Sequence, residues 1–156
     1  MFRRTRAVYG CLLISVYCIL NFMKITIVSG STRANSQSLK VANWLQEHAG
    51  LLDLDATVVD LHAKKLPVFD LGETPSEHAE SIVKQLEASD AFVLVSPEWN
   101  GMMSHAIVNL MHFVGASMAH KPVMLVGVSA GRNGHYPLMD MRTMGYKNTH
   151  LSLIHI

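Results

Sequence analysis

The run Ile25-Thr26-Ile27-Val28-Ser29 is apolar and β-branched, and it stops abruptly at Gly30-Ser31-Thr32-Arg33-Ala34-Asn35-Ser36, small hydroxyl-bearing residues around one glycine and one arginine. This is the pattern of a strand passing directly into a helix start. The junction collects what an anion needs. Gly30 permits a tight turn, Ser31, Thr32 and Ser36 offer hydroxyls, the first amides of the following helix lack internal partners, and Arg33 adds a positive charge. A phosphate suits such a junction best, although a serine-rich turn of this kind also serves as a plain N-cap. Neither G-x-G-x-x-G nor G-x-x-x-x-G-K-S/T follows any candidate strand. A mononucleotide or another monophosphate is therefore expected rather than a dinucleotide or a P-loop nucleotide.

From Lys24 onward, short apolar runs alternate with stretches of helical period, the layout of a parallel sheet covered on both faces. Strands are expected at Lys24–Ser29, Ala56–Leu61, Ala91–Val95, Pro122–Val128 and in the closing run His150–Ile156. Between them, Ser36 caps a helix ending near Gly50, with an apolar face of Leu39, Val41, Ala42, Trp44 and Leu45. His62 to Pro75 reads as loop. Ser76 opens a helix with an acidic first turn whose Ile82, Val83 and Leu86 face inward, a longer helix runs from about Ser104 to Ala119, and a short one from about Tyr136 to Met144.

The chain has 156 residues, 49% of them hydrophobic and 16% charged, enough for one packed core. Its net charge of +1 and the lack of a dense basic run beyond the amino terminus argue against nucleic acid as a partner. Both cysteines, Cys11 and Cys18, precede the folded body, which leaves it without a thiol nucleophile, a C-x-x-C pair or a cysteine-based metal site. Any redox chemistry must come from a bound cofactor. His62, His105, His112, His120 and His135 form no metal-binding spacing, and packing or hydrogen bonding is expected of His105 and His112. In residues 1–22, Arg3, Arg4 and Arg6 precede an uncharged run from Ala7 to Met23. That run is shorter than the roughly 20 residues that span a bilayer. It reads first as an extension upstream of a natural start at Met23, and alternatively as a targeting or anchoring segment. The location expected is thus cytoplasmic, with membrane association or export as the alternative if residues 7–23 act as an anchor. Residues 23–156 form the expected single domain.

Three loops follow the first, third and fourth strands and meet at the carboxyl edge of the sheet, where ligands bind in such folds. In Ser96-Pro97-Glu98-Trp99-Asn100-Gly101, Pro97 stiffens the turn, Asn100-Gly101 takes positive φ readily, and Trp99 either faces an aromatic ring system or packs half-buried. In Ser129-Ala130-Gly131-Arg132-Asn133-Gly134, the glycines let backbone amides approach a heterocycle closely, and Arg132 serves the ligand or reaches solvent.

With these motifs in order, the chain resembles the NADPH-dependent FMN reductase family of flavodoxin-like quinone, azo and chromate reductases, over about Met23 to His150. The family's G-S-x-R-x-x-S loop is matched by Gly30, Ser31, Arg33 and Ser36, with Ser38 just beyond. Its P-E-Y-N-G loop is matched by Pro97, Glu98, Trp99, Asn100 and Gly101, and its S-x-G-x-x-G loop by Ser129, Gly131 and Gly134. The resemblance implies a doubly wound parallel sheet of five strands in the order 2-1-3-4-5. It implies an FMN site made by Ser31, Arg33, Ser36, Gln37 and Ser38 at the phosphate, by Pro97 to Gly101 against the ring, and by Ser129, Gly131, Arg132 and Gly134 at the pyrimidine edge. NADPH or NADH is the implied reductant and a quinone, azo compound, metal ion or similar small molecule the implied acceptor. No side chain is needed as a catalytic base, and Glu98 is expected to organise its turn. The family's usual homodimer implies apolar contact through Met102, Met103, Ile107, Leu110, Met111 and Phe113. Two departures stand out: Trp99 replaces the usual tyrosine, and the final helix after the fifth strand is expected to be missing. The alternatives are a flavodoxin-like electron carrier and a flavin-free phosphate-binding or interaction domain.

Overall fold

The computed structural model describes residues 23–70, 77–147 and 149–153. β1 (Lys24–Ser29), β2 (Asp55–Asp60), β3 (Ala91–Pro97), β4 (Pro122–Val128) and β5 (Ser152–Leu153) form one parallel sheet in the order β2-β1-β3-β4-β5. The helices are α1 (Gln37–Gly50), α2 (Leu61–Lys64), α3 (Glu77–Glu87), α4 (His105–Val114) and α5 (His135–Lys147). The flavodoxin-like parallel sheet in this order is the expected one, but its far end departs from the expectation of a fifth strand with the final helix missing. Four strands are full length, whereas β5 pairs, among the described residues, through two positions, Pro122 with Ser152 and Val123 with Leu153. The last helix among the described residues, α5, is present ahead of β5, 13 residues long, with Met141 buried and contacts to β3 and β4.

Side chains alternate across the pleat, so β1 sends Val28 to one face and Ile27 to the other. The first face joins Phe92, Leu94, Ile82, Leu110 and Met141 in one cluster beneath α3, α4 and α5. The second is smaller: Ile27, Ala42 and Val95 are buried, with Val41, Leu45, Val58 and Val126 packed around them. Trp44 leaves the apolar stripe of α1, is 54% exposed, and has its ring centroid 3.9 Å from that of His48. Its turn of the helix points away from the stripe made by Val41, Ala42 and Leu45.

Other boundaries shift for local reasons. The second strand ends at Asp60, whose carboxylate accepts from the His62 amide at 3.3 Å and starts α2 inside the segment expected as loop. The helix expected to reach Ala119 ends at Val114, since Gly115 at φ 47 turns the chain into a 3-10 segment, Gly115–Met118. The expected cap Ser76, residues 1–22 and residues 154–156 lie outside the described residues. Among the described residues, no helix is long and apolar enough to cross a membrane, and no group of three or more His, Cys, Asp or Glu is arranged to hold a metal ion.

Candidate cofactor site

Parallel strands in register bring Ser29, Pro97 and Val128 to one edge of the sheet, and the three loops leave from there. The first is tied down at its first residue. The Gly30 amide donates to the Val95 carbonyl at 2.8 Å, and the Ser104 hydroxyl donates to the Gly30 carbonyl. Gly30 is required by packing rather than by a left-handed φ: a Cβ there would stand 2.6 Å from Cδ1 of Ile107 and 3.0 Å from the Val95 carbonyl oxygen. The left-handed residue of this loop is Asn35, at φ 51. Ser36 then caps α1, its hydroxyl accepting from the Leu39 amide at 3.1 Å.

Three buried serines surround this helix start. The Ser31 hydroxyl accepts from the Arg33 amide at 3.2 Å, and Gln37 is the exposed first residue of α1. Ser38 is buried with no hydrogen-bond partner for its hydroxyl. A buried donor without a partner is costly. Here it lies on the first turn of a 14-residue helix whose terminal amides are also free for a ligand.

The second loop is a tight hairpin. Trp99 and Met102 exchange amide-to-carbonyl bonds of 2.9 Å around Asn100 (φ 49) and Gly101 (φ 76). Two positive-φ residues in a two-residue turn are the geometry that Asn-Gly favours. The hairpin is clamped at both ends, by the Glu98 amide on the Val128 carbonyl at 2.8 Å and by the Met103 amide on the Asp140 carboxylate at 2.9 Å. Pro97 closes β3 opposite Val128, and Oε2 of Glu98 is buried without a partner. Trp99 is 40% exposed, and the Arg33 guanidinium carbon lies 4.7 Å from its ring centroid.

The third loop folds onto its own strand. The Gly134 amide donates to the Ser129 hydroxyl at 3.1 Å, and that hydroxyl donates to the Gly131 carbonyl. Arg132 belongs to the turn Arg132–Gly134, with Asn133 and Gly134 both at positive φ. A Cβ on Gly134 would stand 2.6 Å from the Gly127 carbonyl oxygen, so the two backbones touch where no side chain fits.

The structure thus gathers the expected residues at one edge, with Arg33 directed to the hairpin rather than over the serines. It adds residues that sequence reading missed. His62 Nδ1 donates to the Thr32 carbonyl at 2.7 Å, Ser104 accepts nothing from loop 1 but holds Gly30, Asp140 fixes Met103, and Tyr136 faces Gly101. Only Ser104 carried a local signal, as the residue before an apolar helix. A cavity of about 630 Å³ shares only Thr32 with these loops and lies between α4 and the segment after β2.

The profile of the NADPH-dependent FMN reductase family matches residues 23–152. The FMN-dependent NADPH-azoreductase of Staphylococcus aureus (strain USA300) is 30% identical over 129 residues, which cover 78% of this chain and 69% of that protein. Among solved structures, the NAD(P)H:(acceptor) oxidoreductase FerB of Paracoccus denitrificans superposes with a TM-score of 0.71 at 20% identity, over 86% of this chain and 76% of that one. An oxidoreductase of Corynebacterium diphtheriae gives 0.70 at 12% identity, over 86% and 79%. These two show a shared fold, while the profile and the sequence relative show kinship: the chain belongs to the NADPH-dependent FMN reductase family.

Proposed function

We propose that FMN binds across the three loops, its phosphate at the start of α1 and its ring against the hairpin and the third loop, and that electrons pass from NAD(P)H to a quinone or azo acceptor. The enzyme class follows from the family: this is an FMN-dependent NAD(P)H oxidoreductase. The observation that carries the site assignment is the buried, unpartnered Ser38 hydroxyl beside Ser31 and the capping Ser36. These donors fit a phosphate monoester, which a helix start with free amides stabilises further.

Bound FMN supplies hydride acceptance and onward electron transfer. The chain's own residues do the rest. Ser31, Ser36, Ser38 and the amides at the start of α1, Gln37 among them, hold the phosphate. Trp99, clamped through Glu98 and Met103, limits where a planar ring lies and keeps water from one side of it. The backbone of Ser129, Gly131, Arg132 and Gly134 offers donors to a ring edge on which negative charge grows during reduction. Hydride transfer needs no side-chain base, in keeping with Glu98 acting through its backbone bond to Val128.

A homodimer is part of this reading, and of the residues first expected at its contact Met102 is 57% exposed. Met103, Ile107, Leu110 and Met111 belong to the domain's own core, and Phe113 packs edge-on against Phe69 with ring centroids 5.1 Å apart. Val68 instead is 88% exposed on a strap pinned by Asn109, which accepts from the Phe69 amide at 2.8 Å and donates to the Pro67 carbonyl at 2.7 Å. A cytoplasmic location accords with a nicotinamide reductant drawn from the cell interior. The test is to titrate apoprotein with FMN and then add NADPH anaerobically. Tight binding and rapid bleaching of the flavin band are expected. Binding without bleaching favours an electron carrier, and no binding contradicts the site.

A further inference from the structure

The Ser29 hydroxyl, at the end of β1, takes no part in the three loops. It is fully buried and has no hydrogen-bond partner among the described residues. The backbone of Ser29 lies in the sheet, level with Asp60 on one side and Val95 on the other, so only the side chain is left over. An apolar side chain would fill the same space without burying an unpaired donor, which is costly. A hydroxyl kept there calls for a partner that becomes available when a ligand binds.

The packing around α1 names that partner. Side chains alternate along β1, so Ser29 faces the same side of the sheet as Ile27, the side that α1 covers. The buried residues of α1 are Ser38 and Ala42, four apart and therefore on one face of the helix. Ala42 packs with Ile27 and Val95. One turn of helix rises about 6 Å, close to the step of about 6.6 Å that two strand residues make. The stripe that seats Ala42 beside Ile27 thus brings Ser38, one turn nearer the helix start, to the strand end at Ser29. Two buried hydroxyls, each unpaired, occupy the facing sides of one seam. A serine hydroxyl donates one hydrogen bond and accepts two. Once Ser38 turns its proton to a phosphate, its oxygen is left as an acceptor, and hydrogen bonds in a chain polarise one another. We infer that Ser29 is a positioning residue of the phosphate site: its hydroxyl donates to Oγ of Ser38, directly or across one water, and so aims and strengthens the Ser38 donor. This rests on the FMN reading above, since it names what orients a donor of that site.

The test titrates apoprotein with FMN and with riboflavin by flavin fluorescence, for the native protein, Ser29→Ala, Ser38→Ala and the double variant, and takes the urea midpoint of each. A neutral hydrogen bond one step behind the charged contact should be worth about fivefold, so Ser29→Ala is expected to raise the Kd of FMN by that factor and to leave riboflavin within about twofold. In the Ser38→Ala background the same change should cost FMN less than about twofold, because the two hydroxyls act as one unit. The urea midpoint should hold or rise, since the hydroxyl removed satisfies nothing in the apoprotein. Ser29→Cys, close in shape but a weak donor, should fall between serine and alanine. An FMN affinity unchanged in Ser29→Ala would overturn the inference. So would a loss of the same size in the Ser38→Ala background, equal losses for FMN and riboflavin, or a fall in the midpoint, each of which would give Ser29 a role apart from Ser38. If Ser38→Ala itself spares FMN, the phosphate assignment fails and the relay with it. If Ser38→Ala weakens FMN and Ser29→Ala does not, the assignment stands and only the relay fails.

Discussion

Just past the end of β1 and one residue before the end of β4 stands a glycine where an added Cβ meets a clash, yet the obstacle differs. At Gly30 it is first the side chain of Ile107, on the helix that follows β3, with the Val95 carbonyl oxygen farther off at 3.0 Å. At Gly127 it is the backbone of Gly134, folded back from the third loop. The first loop is thus positioned by core packing, which can adjust, and the third by backbone against backbone, which cannot. A loop set by packing tolerates repair elsewhere; a loop set by its own main chain does not.

Substitutions can break this contrast. The largest effect is expected from Gly134→Ala, which adds a Cβ 2.6 Å from the Gly127 carbonyl oxygen at a φ of +67. Steric and left-handed strain together should cost more than about 3 kcal/mol, read as a fall in the urea midpoint. No single truncation of a neighbouring side chain should recover it. Gly30→Ala should cost about 1–3 kcal/mol by overpacking. Ile107→Ala alone should cost about 2–5 kcal/mol through a cavity. The double variant should be more stable than the sum of the two, because the added methyl fills space that the truncation opens. Simple additivity would contradict the packing explanation.

Ser104→Ala comes next. It removes the cap of α4 and the hydroxyl that holds the Gly30 carbonyl, and about 1–2 kcal/mol of stability should go with it. The smallest effect is expected from Asp140→Ala, which frees the Met103 amide at the hairpin exit. Stability should fall by less than about 1 kcal/mol at this part-buried bond, while the emission of Trp99 in a Trp44→Phe background shifts toward that of a more mobile indole. An unchanged spectrum would mean that the Trp99–Met102 bonds suffice to hold the ring.

What could be read from the sequence follows from the range of the forces involved. Ser36 as a cap, the Asn100-Gly101 turn and the strand of Val28 are legible because each depends on neighbours a few residues away. The reason for Gly30 was not: a close approach of Ile107 lies 77 positions downstream and replaces the expected tight turn. The direction of Arg33 was hidden in the same way, since Trp99 comes from another strand end. His62 on Thr32, Asp140 on Met103 and the Asn109 latch on Pro67 and Phe69 are likewise contacts between distant segments. Periodicity assigned Trp44 and the helix residues Ile107 and Leu110 to apolar roles without saying which surface covers them.

The most direct test of the cofactor site compares FMN with riboflavin in the native protein and in Ser38→Ala. The hydroxyl removed has no partner within the described protein, so the fold should keep its stability. Loss of a hydrogen bond to a charged phosphate should weaken FMN about tenfold or more, while riboflavin, which lacks the phosphate, binds as before. Equal weakening of both, or no weakening of either, would contradict a phosphate held at the start of α1.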